Sequence, residues 1–366
     1  MKRRHFIHSS LTACLSSRVF GSLQQERFDE ASDILARATV NGGISTAVLH
    51  VNQRGNSFTR AFGQAPSEQA MFLLGSISKP VCVTALMSLF ERGEFKLDDP
   101  LKKFIPQFTG GGSDDVTIQH LLTHLSGLPD QLVANNELRS KHAPLAEFIE
   151  HAIRTPLGFA PGSQYQYSSM GILLATHVAE ILSGTDILTL VDRTVLRPLR
   201  MEHSAQGLGH FKLGDMVQCQ TDRAAPESGG GDPAAKNWDW NSEYWRKLGA
   251  PWGGTHASAP DVAAFLAEFL NEAGAAVKPE TARLMVANHN PPGMTPRGLG
   301  LSVGPAAGIV GCSEKTFGHT GSTGTIAWAD PATRTICVVL TSLPARSVNP
   351  HPRDLAANAV AAAMVR

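Results

Sequence analysis

The sequence predicts an α+β chain of the sandwich type. An antiparallel sheet is built from both chain ends, helices flank it, and a mostly helical lobe is inserted between. Three observations carry this reading. Strand-like, β-branched segments lie near both ends of the chain. Apolar residues at helical spacing fill the middle, from about residue 77 to 200. The links between terminal strands are short enough to be hairpins, which makes those strands antiparallel.

Composition fits an enzyme-sized globular chain. The 366 residues allow one large domain or two medium ones, and 42% hydrophobic content excludes global disorder. The 32 basic side chains are balanced by 32 acidic ones, and no long basic run follows the first few residues, so a nucleic-acid footprint is not expected. No stretch of 18 apolar residues occurs, so no membrane span is expected. With 34 Gly, 22 Pro and 5 Cys, collagen-like and disulfide-dense scaffolds are excluded. Cys14, Cys82, Cys219, Cys312 and Cys337 include no C-x-x-C and read as buried reduced thiols, one disulfide being the alternative.

Residues 1–25, MKRRHFIHSSLTACLSSRVFGSLQQ, read as a targeting leader rather than a first helix. Lys2, Arg3 and Arg4 precede a weakly apolar, Ser-rich stretch, and no acid occurs before Glu26. Arg3-Arg4-His5-Phe6-Ile7 resembles a bacterial twin-arginine export signal, with cleavage near Gly21 and a periplasmic destination. A lipoprotein signal at Leu11–Cys14 and a mitochondrial transit peptide are the alternatives.

The folded part then runs from residue 26 to 366. Residues 26–41 place Phe28, Ile34, Leu35 and Val40 among charges, an amphipathic helix. Ile44–Val51 and Ser57–Gly63 form a hairpin around the turn Asn52–Asn56. The helical lobe spans about 77–250. Within it, 221–252 is turn-rich, contains Gly229-Gly230-Gly231 and holds Trp238, Trp240, Tyr244, Trp245 and Trp252. These aromatics either wall a cleft or pack a long loop. Leu299–Val303, Thr325–Trp328 and Thr335–Leu340 read as strands, and Pro352–Val365 as an Ala-rich closing helix.

Three segments carry candidate chemistry. In Gly75-Ser76-Ile77-Ser78-Lys79-Pro80, Ser76 falls at the start of a helical pattern and Lys79 lies three residues on, on the same face. Free N–H groups and the positive dipole end there favour a developing oxyanion. A serine hydroxyl needs a base to take its proton, and a lysine held in a dry cleft beside another cation can serve. An N-cap serine with an exposed lysine would read the same. In Gly162–Gly171, Tyr167 lies just ahead of a helix, where a phenol flanked by cations can relay a proton; a packing anchor is the alternative. In Gly318–Thr325, small residues would let a substrate approach a strand edge and His319 could donate a hydrogen bond or carry charge; a plain glycine-rich turn is the alternative.

Taken together, Ser76-x-x-Lys79, Tyr167-x-Ser169 and His319-Thr320-Gly321 resemble the serine β-lactamase-like family of class C β-lactamases, DD-peptidases, D-aminopeptidases and carboxylesterases. His120-Leu121-Leu122-Thr123-His124-Leu125-Ser126-Gly127-Leu128-Pro129, Pro198-Leu199-Arg200-Met201 and Gly253-Gly254-Thr255-His256 with Asp261 are similar to further family segments. The likeness runs from about residue 30 to the C-terminus.

The resemblance implies a β-lactamase/transpeptidase-like fold and a serine hydrolase. Ser76 would form the acyl-enzyme, Lys79 would assist its deprotonation and Tyr167 would share in proton transfer. The backbone N–H groups of Ser76 and Ser322 would form the oxyanion hole. Ser169, His319, Thr320 and Gly321 would bind substrate, an ester, amide or peptide, with no metal or other cofactor and no nucleic acid. Two departures stand out. Ser169 occupies the place of the family's amide-binding Asn, and His319 stands where many relatives have Lys. Ser169 weighs against efficient recognition of a β-lactam or peptide side chain, and His319 against a dedicated β-lactamase; the expected activity is that of an esterase or D-amino-acid-type peptidase. A true β-lactamase or penicillin-binding DD-peptidase is the alternative, and a catalytically silent scaffold is a third reading. His120 and His124 have metalloprotease spacing but Leu121 replaces the needed Glu, so both are expected to bond backbone inside a packed segment.

Overall fold

The computed structural model describes residues 27–109, 114–304 and 307–364. The leader and Cys14 lie outside them. Helix α1 (Asp29–Val40) leads into strands β1 (Thr46–Gln53) and β2 (Asn56–Gly63). Arg54 and Gly55, at the tip of that hairpin, both have positive φ, the backbone twist that a two-residue turn needs to match the twist of its strands.

A six-stranded antiparallel sheet has the order β2-β1-β9-β8-β7-β6. Its later strands are β6 (Ser302–Val303), β7 (Phe317–Gly321), β8 (Thr325–Asp330) and β9 (Thr335–Thr341). The sheet therefore joins the two chain ends, with Leu49 opposite Val339 and Trp328 opposite Cys337. Both faces are covered, which is why β1 and β9 read as near-continuous apolar runs rather than alternating ones. Ala47, Leu49, Val51, Trp328, Cys337 and Val339 face α1 and the closing helix α11 (Pro352–Ala362). Val48, Ala327, Val338 and Leu340 face the other way, toward helix α9 (Ala259–Asn271).

Between β2 and β6 lie the remaining helices: α2 (Ser78–Phe90), α3 (Ile118–Thr123), α4 (Asn135–Ser140), α5 (Leu145–Arg154), α6 (Ser169–Ser183), α7 (Ile187–Val191), α8 (Glu243–Leu248) and α10 (Pro279–Val286). Helices α2 and α6 pack together at the centre of this lobe, with α3, α5 and α7 against α6. Their apolar residues are buried nearly all round, as expected of core helices. Among the described residues no single helix is long and apolar enough to cross a membrane. A small sheet, β3 (Phe72–Leu73), β5 (Thr255–Ala257) and β4 (Ser204–Gln206) in the order β3-β5-β4, ties the lobe to the segment ahead of α2.

Several local readings change. Leu299–Leu301 is loop, and β6 keeps only Ser302–Val303. The glycine-rich stretch from Gly318 is no simple turn: Phe317–Gly321 is a strand, and the turn is confined to Ser322–Gly324. A period-two pattern is hard to see where small residues replace side chains on both faces of a strand. The stretch 221–252 contains short 3-10 turns and the helix α8. Cys82, Cys219, Cys312 and Cys337 are all free; three are buried and Cys312 is half-buried.

Candidate active site

Ser76 sits in a 3-10 turn, Gly75–Ile77, that runs into α2, rather than at the first turn of the α-helix itself. The turn is pinned on two sides. On one, Thr323 Oγ1 donates to Leu73 O and Thr325 Oγ1 to Leu74 O, both at 2.7 Å. On the other, Leu74 N–H donates to Thr255 O and Thr255 N–H to Ser78 Oγ, both at 2.9 Å. Gly75 has a φ of +58°, and a Cβ there would lie 3.1 Å from Ser322 N. Glycine thus lets the Ser76 turn abut Ser322 at the end of β7, the two residues whose backbone amides are expected to form the oxyanion hole.

Lys79 is 1% exposed. Its Nζ lies 3.0 Å from Ser76 Oγ and donates to Trp252 O at 3.0 Å. Among the described residues it has no carboxylate partner, so no ion pair competes with the serine for the amine. The same Nζ is 4.7 Å from the centroid of the Tyr167 ring. Tyr167 precedes α6, whose N-cap is Ser168. Its hydroxyl is buried and has no hydrogen-bond partner among the described protein groups.

A residue that no motif pointed to completes this cluster. Arg297, 3% exposed, lies on the segment leading to β6. Its Nη1 donates to Ser302 Oγ at 2.5 Å. Its Nη2 is 2.9 Å from His124 Nε2 and 3.2 Å from His319 Nε2, and its Cζ is 5.6 Å from the Tyr167 ring centroid. His319 Nδ1 lies 2.7 Å from Thr320 O, a contact that requires Nδ1–H. Its Nε2 is then a lone pair turned to the guanidinium. Burial first, then the charges of Arg297 and Lys79, hold His319 well below the usual histidine range. His319 is therefore neutral, and the positive charge that its position suggested resides on Arg297.

His124 is buried and bonded to backbone, as expected, with Ser168 N–H 3.2 Å from its Nδ1; its ring also lies 4.5 Å from that of Tyr167, and its Nε2 2.9 Å from Arg297 Nη2. Burial, with Arg297 next, keeps it well below the usual range. His120 keeps the purely structural role: Thr117 N–H donates to its Nδ1 at 3.3 Å in the capping box of α3. Among the described residues no group of three or more His, Cys, Asp or Glu is arranged to hold a metal ion.

The cleft above Ser76 has a volume of about 400 Å³ and is lined by Tyr167, Ser169, Trp240, Trp245, Trp252 and Thr320 among others. Three of the clustered tryptophans thus wall it. Beside them, buried Arg139 also lines the cleft, with its Cζ 3.9 Å from the Trp245 ring centroid, and donates to Glu227 O and Trp238 O. Burial pulls that guanidinium down to about 10. β6 pairs only with Phe317 and Gly318, so the edge of β7 from His319 to Gly321 is open toward the cleft. Thr320 on it is exposed.

Ser169 lines the cleft but does not offer its hydroxyl to it. Ser169 Oγ donates to Asp130 Oδ1 at 2.6 Å, and its N–H donates to the same oxygen at 3.0 Å. Asp130, like Arg297, is a site residue that motif spacing did not select. It follows directly on the segment ending at Pro129, so adjacency was the one signal available. For Arg297, a lone arginine between Pro296 and Gly298, there was none.

Comparison with known proteins agrees with this geometry. The family model described as Beta-lactamase matches residues 26–362. Esterase EstB of Burkholderia gladioli is 33% identical over 209 residues, covering 53% of this chain and 51% of the esterase. The match therefore spans about half the length of that relative. Among solved structures, EstCE1, a hydrolase with promiscuous acyltransferase activity, superposes with a TM-score of 0.73 at 21% identity, covering 92% of this chain and 99% of that one. The D-amino acid amidase from Ochrobactrum anthropi SV3 gives a TM-score of 0.72 at 20% identity, over 92% and 97% of the two chains. With the sheet joining both chain ends, the Ser76–Lys79 pair under Tyr167 and a family match across almost all of the folded part, this chain belongs to the beta-lactamase family.

Proposed function

We propose that the protein is a serine hydrolase acting on esters, through an acyl-enzyme on Ser76. The observation that carries the reading is the 3.0 Å contact between Lys79 Nζ and Ser76 Oγ in a site where Lys79 is buried without a carboxylate partner among the described residues. Ser76 Oγ attacks the carbonyl carbon, and its proton passes to the Lys79–Tyr167 pair. The N–H groups of Ser76 and Ser322 hold the oxyanion. As the tetrahedral adduct collapses, the leaving alkoxide takes the proton from the Tyr167 side and departs as an alcohol. Water then attacks the acyl carbon by the same steps in reverse, releasing the acid and restoring the Ser76 hydroxyl.

Esters are favoured over amides because the family's amide-binding Asn is replaced by Ser169, whose hydroxyl hydrogen is committed to Asp130. That leaves an acceptor-rich Ser169–Asp130 pair where an amide carbonyl would need a donor. Thr320 and Gly321, on the open edge of β7, line the acyl cleft, and the tryptophan wall suits an apolar or ring-bearing acyl group. The leader is read as a twin-arginine signal directing the protein to the periplasm; cell fractionation of an Arg3→Lys/Arg4→Lys variant tests this separately.

The central test is intact-protein mass after mixing with p-nitrophenyl acetate, a penicillin and a cephalosporin, with Ser76→Ala alongside. An acetyl adduct on the wild type alone supports the proposal. Turnover of a β-lactam faster than of the ester moves the assignment to a β-lactamase. Equal labelling of Ser76→Ala refutes Ser76 as nucleophile, and no adduct with any donor favours a silent scaffold.

A further inference from the structure

We infer that Arg297 is the positioning cation of this site, and that His319 serves as the neutral acceptor that aims it at Tyr167. The inference deepens the hydrolase reading and rests on it. Four observations converge. The guanidinium is buried and lacks a carboxylate partner among the described residues, so its charge is not neutralised where it stands. One nitrogen, Nη2, reaches both imidazoles, at 2.9 and 3.2 Å. His319 can meet it only with a lone pair, because its other nitrogen donates to Thr320 O. The guanidinium and the Lys79 amine lie 5.6 and 4.7 Å from the Tyr167 ring centroid, so two cations flank one phenol whose hydroxyl has no partner among the described residues.

The arrangement separates two tasks. Lys79 touches Ser76 and moves a proton. Arg297 touches neither Ser76 nor any catalytic proton; it is a fixed charge beside the tyrosine, favouring the phenolate that forms when Tyr167 gives its proton to the leaving group. An arginine suits this because it stays charged when buried, whereas a lysine or histidine there could shed its proton. The His319 imidazole holds the guanidinium in place without adding charge. Protonation of His319 would set N–H against N–H at Arg297, and it would also meet Lys79. His124 faces donors at both ring nitrogens, Ser168 N–H and Arg297, of which a neutral imidazole can accept only one; protonation would remove that acceptor too, with Lys79, His319, Tyr165 and Tyr167 as the remaining titratable neighbours.

Relocating the charge tests the inference. Arg297→Gln removes it and lowers kcat/KM for p-nitrophenyl acetate by about 100-fold, within the range for a lost contribution to proton transfer. His319→Lys alone sets a second cation against Arg297 and also lowers activity. The double variant, Arg297→Gln with His319→Lys, restores one cation beside Tyr167 and recovers about tenfold over the worse single variant, a coupling of opposite sign to simple damage. A merely structural arginine predicts no such recovery. Unchanged activity in Arg297→Gln, or a double variant no better than the worse single, overturns the inference while Ser76 acylation still stands. Histidine NMR of the full wild-type chain reads the arrangement without turnover. Flat His124 and His319 signals from pH 5 to 8, with His319 as the Nδ1–H tautomer, support it even if Arg297→Gln does not fold. A His319 that titrates near the free value overturns it. If the wild type forms no Ser76 adduct, the hydrolase reading fails on its own count and the spectra still decide the arrangement.

Discussion

Ser169 and Asp130 form a closed pair: one carboxylate oxygen of Asp130 accepts both the backbone N–H and the hydroxyl of Ser169, at 3.0 and 2.6 Å. The pair caps the start of α6 and fills the position from which an amide side chain would reach a substrate. Asp130→Ala removes two hydrogen bonds to a charged acceptor. It is expected to lower stability by about 1.5–3 kcal/mol, the usual range for such bonds, as measured by urea unfolding. The freed Ser169 hydroxyl should raise the amide-to-ester ratio of kcat/KM. A ratio that stays fixed would argue that this pair plays no part in choosing substrate.

Lys79 is predicted to be irreplaceable by another cation. Its Nζ must approach Ser76 Oγ and also donate to Trp252 O. A guanidinium cannot give up its proton to act as a base, so Lys79→Arg should acylate about 10²–10⁴ times more slowly, as should Lys79→Met. The rate of adduct formation by mass spectrometry measures this. Lys79→Arg at near wild-type rate would remove lysine from the proton path.

Gly321 is expected to tolerate no side chain. A Cβ there would overlap the carbonyl oxygen of Leu74 and the hydroxyl of Thr325, two groups already bonded to each other. Gly321→Ala must therefore displace either the nucleophile turn or the end of β7 that carries Ser322. Overpacking of this kind destabilises by about 1–3 kcal/mol. Activity should fall further than thermal stability, because an oxyanion donor moves; equal loss in both would indicate damage to the fold alone.

Stability should decline in mild acid. Burial lowers His50 and His351 to about 4, and burial, then Arg246, lowers His256 to about 3. Their unfolded value is 6.5. Between those limits the unfolded chain binds more protons than the folded one, so stability rises with pH. The contribution is complete above about pH 6.5 and is lost as pH falls toward 4 and then 3, with a slope of up to about 1.4 kcal/mol per pH unit for each histidine. Urea midpoints at pH 7.5 and 5 measure this, and equal midpoints would contradict the buried neutral state of all three.

The elements near the chain ends were legible because their patterns are local. The amphipathic spacing of Phe28, Ile34 and Leu35, the turn within Asn52–Asn56 and the apolar runs of β1 and β9 each follow from backbone preference and burial over a few residues. β7 was harder: its glycines are demanded by neighbours distant in the chain, such as Leu74 O beside Gly321, and local reading turns such a strand into a loop.

The site divides in the same way. Ser76 and Lys79 are three residues apart, so their meeting was written in the sequence; Tyr167 and His319 were legible as candidates from their local segments, and family resemblance joined them to the pair. What only the tertiary structure decided is the state of those groups. Whether His319 carries charge depends first on the depth at which it lies and then on Arg297, 22 residues earlier. Whether Ser169 can greet a substrate depends on Asp130, 39 residues earlier. Residue type sets which chemistry a side chain can perform; burial and long-range neighbours set which protonation state and which hydrogen bond it has, and those are fixed by packing rather than by spacing.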